Sequence, residues 1–334
     1  MKLLKANEFF SLKAVNKDAL PFCFQPDYLK LNKDISILQQ NDIFAPVKTG
    51  KNKFLTSIQF QFPPVKGCGD LPSEDDEKSF CEEAVKYISQ NKLAHRIIQP
   101  KNYALFRVKP EKSVFCGFGT YKVNLENKND SQLLAAMRIK YRNSIRQIEK
   151  LNVALKFGSS ELSTFLELHN ETMDRTSAHK EDNDTLLKEL TALPDNTLLA
   201  TVYLDNKIQG GAYVAYSKYG AYYFHAASVT TQEGSAANKY LHYKIMCLMR
   251  DNGVKQYDFV GARLSDITGT KLEGIQNFKK RFGAELVKGY LWKMDLDKTK
   301  CRTYDNLLKI KCKLKGTKFP VDIIDQEKNK RSIL

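Results

Sequence analysis

The chain has 334 residues, which is more than one ordinary core accommodates and sets two domains as the expectation. Hydrophobic residues at 42% and charged residues at 27% exclude a disordered chain, and no apolar run reaches the length of a membrane span. The net charge of +15 points to an anionic partner such as RNA, a phosphorylated substrate or an acidic membrane surface, with a merely solubilising lysine-rich surface as the alternative.

At the N-terminus, MKLLKANEFFSLKAVNKD has charges breaking every apolar run, so no secretory signal is expected. Ile35 to Leu38 and Ile43 to Val47 read as strands joined by a polar turn, and Thr56 to Phe62 alternates until Pro63-Pro64. The acidic run Ser73 to Glu77 opens a helix to about Asn91, because carboxylates favour a helix N-terminus. Strands at His95 to Gln99 and Gly119 to Leu125 follow. The polar, aperiodic Glu126 to Asp130 sets the expected boundary between residues 1–128 and 129–296.

Beyond it, Leu134, Met137, Tyr141, Ile145 and Ile148 have helical spacing, which predicts one helix over 131–150. Helices at about 160–175 and 184–193 precede an antiparallel meander of strands at 197–204, 209–217 and 220–229. A small-residue loop, Thr230 to Asn238, leads into a helix from Lys239 to Asn252, ended by Gly253. A strand at 256–260, one or two strands within 285–296, and a basic helix and tail over 297–334 complete the chain. Seven cysteines without a CxxC pair, and His95, His169, His179, His225 and His242 without ligand spacing, predict no metal site and a reduced, cytoplasmic setting.

A set of residues in order gives this sequence a family likeness. They are Arg138-x-Lys-x-Arg142-x-x-x-Arg146, Thr172-Met-Asp-Arg175, Tyr222-Tyr-Phe-His-Ala-Ala-Ser228, Ala237-Asn-Lys-Tyr-Leu241, Tyr257-Asp-Phe-Val-Gly261 and Gly274-Ile-x-x-Phe-Lys-x-x-Phe-Gly283. The sequence resembles the FemABX family, which adds amino acids from aminoacyl-tRNA to the peptide stem of peptidoglycan precursors. The resemblance implies an α/β (α+β) protein of two GNAT-like domains, with mixed, largely antiparallel sheets flanked by helices. The inserted coiled-coil arm of longer members is missing.

Amine attack on an aminoacyl ester needs positioning, and a cation or amide donors where oxyanion charge develops. The family's Phe-Lys pair falls on Phe278 and Lys279, which makes Lys279 the expected cation and Phe278 the wall beside it. The alternative is a solvated basic turn anchored by Phe278 and Phe282. By the same resemblance Arg175, and Lys30 or Lys33, would hold the precursor's diphosphate. Tyr222 and Tyr223 would line the acceptor cleft, only one of them facing it because strand side chains alternate. Arg138, Arg142 and Arg146 offer a basic face for tRNA phosphates or anionic headgroups, or merely the wet side of an amphipathic helix.

Aminoacyl-tRNA is then the expected co-substrate and a nucleotide- or lipid-linked muropeptide the acceptor. Peripheral contact with the inner membrane is allowed for, and no stable protein partner is expected. Coenzyme A is disfavoured, because residues 234–238 lack the glycine pattern of a pyrophosphate loop. The competing readings are a coenzyme A-dependent N-acyltransferase on an envelope sugar or small amine, and a non-catalytic RNA- or envelope-binding relative.

Overall fold

The computed structural model describes residues 1–176 and 183–331; His179 and the last three residues of the tail lie outside the described residues. The first half runs β1 (Lys2–Leu4), α1 (Ala6–Phe10), α2 (Pro26–Leu31), β2 (Ile35–Gln40), β3 (Ile43–Lys51), β4 (Thr56–Phe60), β5 (Val65–Lys66), α3 (Glu74–Gln90), β6 (Arg96–Ile98) and β7 (Val114–Asn124). Helix α3 starts where expected. Ser73 accepts from the Asp76 amide, and Glu74 to Glu77 place four carboxylates on the positive end of the dipole.

The second half continues with α4 (Asp130–Ala136), α5 (Ile139–Ile148), β8 (Val153–Phe157), α6 (Leu162–Thr176), α7 (Asn183–Ala192), β9 (Thr197–Leu204), β10 (Lys207–Ser217) and β11 (Gly220–Ser228). Then come α8 (Gln232–Asp251), β12 (Gln256–Asp258), β13 (Ala262–Arg263), α9 (Lys271–Lys280), β14 (Glu285–Asp295), α10 (Lys298–Leu314) and α11 (Ile323–Arg331).

Two expectations are corrected. The single helix over 131–150 is broken at Met137-Arg138, where both residues are extended and the Arg138 amide donates to the Arg281 carbonyl. The apolar period runs through the break, so it could not reveal it. The small-residue stretch is not a loop: α8 already begins at Gln232, because Thr231 caps it by accepting from the Gly234 amide at 3.0 Å.

Strands of both halves form one continuous sheet in the order β1-β2-β3-β4-β6-β14-β7-β12-β11-β10-β9-β8, with β5 beside β3 and β13 beside β7. Its plan is a pseudo-twofold repeat. In the first half a meander, β2-β3-β4, is followed by helix α3 and by β6 parallel to β4. In the second, β9-β10-β11 is followed by α8 and by β12 parallel to β11. The halves then exchange strands. β7 follows β6 in sequence but pairs with β12, and β14 follows β12 but pairs with β6 and, along most of its length, with β7.

Helices α4, α5 and α8 bury one face of the second half around Val202, Val214, Leu241, Ile245 and Tyr257. The opposite face holds α6 and α7, and beside them the N-terminal aromatics Phe9, Phe22 and Phe24 pack with Tyr222 and Leu193. The two halves therefore share a core as well as a sheet.

Candidate active site

The site is built where β11 and β12, the one parallel pair of the second half among the described residues, separate. β11 and β12 are in register only at Ala221 with Tyr257 and Tyr222 with Asp258. β12 ends there, while β11 continues six residues to Ser228 against β10 alone. The edge of β11 beyond Tyr222 consequently has no strand beside it among the described residues. Helix α6 covers its far end, with His169 Nδ1 2.7 Å from the Ala226 carbonyl and the Ser228 amide donating to the Thr172 hydroxyl at 3.2 Å. The stretch before that is left to offer backbone hydrogen bonds to a ligand. A bulge accompanies the parting. The register with β10 slips between Tyr213 and Val214, which leaves Phe224 as the extra residue.

After Asp258 the chain turns away through Val260 and Gly261, with φ of +52° and +72°. A β-branched residue in the left-handed region is strained, so surrounding bonds must hold it. Asp258 is the clamp. Its carboxylate, 1% exposed, accepts from the Thr120 hydroxyl and from the Val260 amide (2.7 Å), and Lys122 lies 3.8 Å from its other oxygen. The clamped turn presents its carbonyls to Lys279, whose ammonium donates to the Val260 carbonyl and, at 2.7 Å, to the Gly261 carbonyl.

Lys279 is only 8% exposed. Burial pushes its pKa down to about 8, against the opposing pull of Asp258. Helix α9 holds it there through its aromatic neighbours. Phe278 and Phe282 share one face, 5.0 Å apart, and meet Tyr141, His242 and Phe259. His242 within this cluster is buried and pushed down to about 3, so it is neutral at physiological pH. The solvated basic turn is not what forms: of the run Lys279-Lys280-Arg281, the first cation is buried while the other two side chains remain exposed.

The other sequence-predicted residues are distributed as follows. Arg175, exposed at the end of α6, donates to the carbonyl of Ser228 at 3.0 Å, which puts it at the far end of β11. Tyr222 and Tyr223 point to opposite faces. Tyr222 is 1% exposed and packed among Phe22, Phe62, Tyr103 and Phe224, and its hydroxyl has no partner among the described residues. Tyr223 stands on the α8 side, 4.4 Å from the His242 ring.

Lys30 is exposed on α2 and paired with Asp27 at 2.9 Å, and Lys33 is exposed just beyond that helix. Arg142 and Arg146 lie about one turn apart on α5, and Arg138 is the extended residue just before it. Arg142 donates to the Ala135 carbonyl at 3.1 Å, and Arg138 and Arg146 face solvent. A cleft of about 430 Å³ lies elsewhere, lined by Asp70, Lys122, Tyr219, Lys255, Gln256 and Glu285. It shares only Lys122 with the clamp.

Sequence reasoning did not assign Asp258, Thr120, Lys239 or Arg281. Lys239 lies 5.1 Å above the Tyr141 ring, and its pKa is pulled down by burial and by the neighbouring Arg281, which adds two cations beside the α9 cluster. Asp258 sat inside a recognised motif, but its partner Thr120 is 138 residues away.

The model of the acetyltransferase (GNAT) domain matches residues 135–280, which contain the parted strands, the clamp and Lys279. No curated protein matches the sequence. Among solved structures, FemX is similar at 15% identity with a TM-score of 0.65, over 92% of this chain and all of that one. L-PGS from Bacillus licheniformis has 14% identity and a TM-score of 0.51, over 86% of this chain and 90% of that one. The C-terminal domain of a putative lysylphosphatidylglycerol synthetase from Agrobacterium fabrum has 14% identity and a TM-score of 0.50, over 85% and 91%. Residues 135–280 thus match an acetyltransferase (GNAT) domain, and the fold of the chain is similar to that of FemX.

Proposed function

We propose that the protein transfers an aminoacyl group from aminoacyl-tRNA to an amine on the stem peptide of a peptidoglycan precursor. The observation that carries the reading is the buried Lys279 ammonium, held by two carbonyls where β11 and β12 part within the matched domain. The part of the β11 edge that α6 leaves uncovered, between Tyr222 and Ala226, can hold an acyl donor by backbone hydrogen bonds. The acceptor amine attacks the ester carbonyl, negative charge develops on its oxygen, and the ribose oxygen leaves with a proton lost by the amine. Lys279, in a site dried by Phe278, Phe259 and Tyr223, is the cation placed to meet that charge. Arg175 is positioned to take a phosphate of the precursor, and the Arg138–Arg146 face to take tRNA phosphates.

The test is transfer of a labelled amino acid from a mixed aminoacyl-tRNA pool to a muropeptide precursor, nucleotide-linked and lipid-linked in parallel. Product is expected with the native chain and a loss of at least about 100-fold in Lys279→Ala. A folded protein that transfers nothing from any aminoacyl-tRNA would overturn the reading.

A coenzyme A-dependent acyl transfer is the second reading, favoured by the acetyltransferase description of the matched domain. Against it stands Gly234, the single glycine at the start of α8. A Cβ there would lie 2.2 Å from the Val229 side chain, so local packing already accounts for the glycine, and its amide is taken by Thr231. Thermal stabilisation by acetyl-coenzyme A, and none by a wall precursor, would select this second reading.

A further inference from the structure

Helix α10 is docked along one face only. Asp297 caps it, Cys301 is fully buried against the His95 carbonyl, the Tyr304 hydroxyl accepts from Asn52 at 3.2 Å, and Asp305 receives Arg96 at 2.9 and 2.6 Å. With Leu308 and Cys312, half-buried further along, these residues recur at helical spacing and define the inner face. The outer face carries a second apolar stripe. Leu307, Ile310 and Leu314 are 49%, 57% and 83% exposed, and helical geometry puts them in one row. Exposed Lys300 and Lys311 flank that row on one side, and Arg302, Lys309 and Lys313 on the other.

The helix is not a loose tail. After it, α11 returns to the sheet through the fully buried Ile324, the Arg263–Glu327 pair at 2.8 Å, and Lys293 between Asp322 and Asp325 at 2.7 Å each. The β3–β4 hairpin adds to the same region. Asn52 joins it to Tyr304, and its neighbours Lys51, Lys53 and Phe54, the last 60% exposed, extend the combination of cations and an apolar side chain.

We propose that this outer face of α10, with the Phe54 hairpin, is a docking surface for an anionic lipid bilayer, on which the helix lies parallel to the membrane plane. An apolar row between two rows of cations matches a bilayer interface, where side chains enter the acyl boundary and ammonium groups meet headgroup phosphates. RNA would be met by cations and stacking aromatics, and three aliphatic side chains at the centre of the contact would be wasted on it. A second copy would bring two basic helices together, with Asp305 already engaged by Arg96. No helix among the described residues is long and apolar enough to cross a membrane, so contact of this kind is peripheral. The surface stands independently of the transfer reaction, because α10 contributes nothing to the site around Lys279.

The test is co-sedimentation of the full chain with vesicles of phosphatidylcholine alone and of phosphatidylcholine with phosphatidylglycerol. Binding is expected to the anionic vesicles, to weaken as salt rises, and to fall at least tenfold on pure phosphatidylcholine. A combined Leu307→Asn, Ile310→Asn and Leu314→Asn variant should keep the native melting temperature and lose at least tenfold in vesicle binding. Replacing Lys300, Lys311 and Lys313 by Gln should lose the preference for anionic lipid. The proposal is overturned if anionic vesicles are not bound, or if the folded apolar variant binds them as the native chain does. It is also overturned if the apolar changes abolish tRNA binding or self-association while leaving vesicle binding intact.

Discussion

An ammonium group with two carbonyl partners and little solvent is a cation whose proton is only loosely kept. Burial has moved Lys279 from 10.5 to about 8, so the charged form empties as pH rises through about 8. Transfer activity should therefore fall on the alkaline side with an apparent pKa near that value. In Lys279→Arg any remaining activity should lose this limb, because a guanidinium keeps its proton. Stability has the opposite sign. The unfolded chain binds the proton more tightly than the folded one, so the cost of burying the charge is relieved between about 8 and 10.5.

Tyr222 behaves differently. Its ring fills the joint between the halves, but its hydroxyl is buried with no partner among the described residues. Tyr222→Phe should leave stability unchanged or raise it by about 1 kcal/mol, and Tyr222→Ala should cost about 3–5 kcal/mol, read from denaturant midpoints. If Phe weakens the protein as much as Ala, the hydroxyl has a partner after all. Lys279 was legible because a family motif singled it out of three consecutive cations. Tyr222 was legible as one of an alternating pair, but its direction depends on first-half aromatics, such as Phe22 and Phe62, that sequence spacing does not connect to it.

Elements were legible where a local signal governs them. The meander β9-β10-β11, helix α3 with its acidic start, and the stop of α8 at Gly253 all follow from turns and caps. The break between α4 and α5 was not legible, because its cause is tertiary. Gly283, just after α9, has φ +77°, and a Cβ there would lie 2.6 Å from the Ala136 carbonyl oxygen at the end of α4. The end of α9 thus presses into the α4–α5 junction, and the Arg138 amide closes onto Arg281. Gly283→Ala combines a left-handed backbone with that overlap and should cost about 2–3 kcal/mol. A urea midpoint within error of the native one would refute this packing.

At the scale of the whole molecule, the repeated plan was legible only through the family resemblance, because topology, not residue pattern, is what the two halves share. The meander, helix and parallel strand recur on different side chains. The polar segment at 126–130 marks a break in sequence, but β7 and β14 carry each half into the other's sheet. With Phe22, Phe62 and Tyr103 from one half closing on Tyr222 and Phe224 from the other, unfolding should be a single cooperative event. Calorimetry should give one peak with equal van't Hoff and calorimetric enthalpies, and two resolved peaks would contradict the shared core.

The exchange of strands also sets an order of events during synthesis. The edge of β6 that β14 will cover is made early, while β14 ends at Asp295 and emerges late. Between the synthesis of β6 and that of β14, then, the nascent chain displays an uncovered strand edge and a half-built aromatic joint. Such intermediates are the ones that misassociate, so the ribosome-bound first half is where this protein would depend on a chaperone.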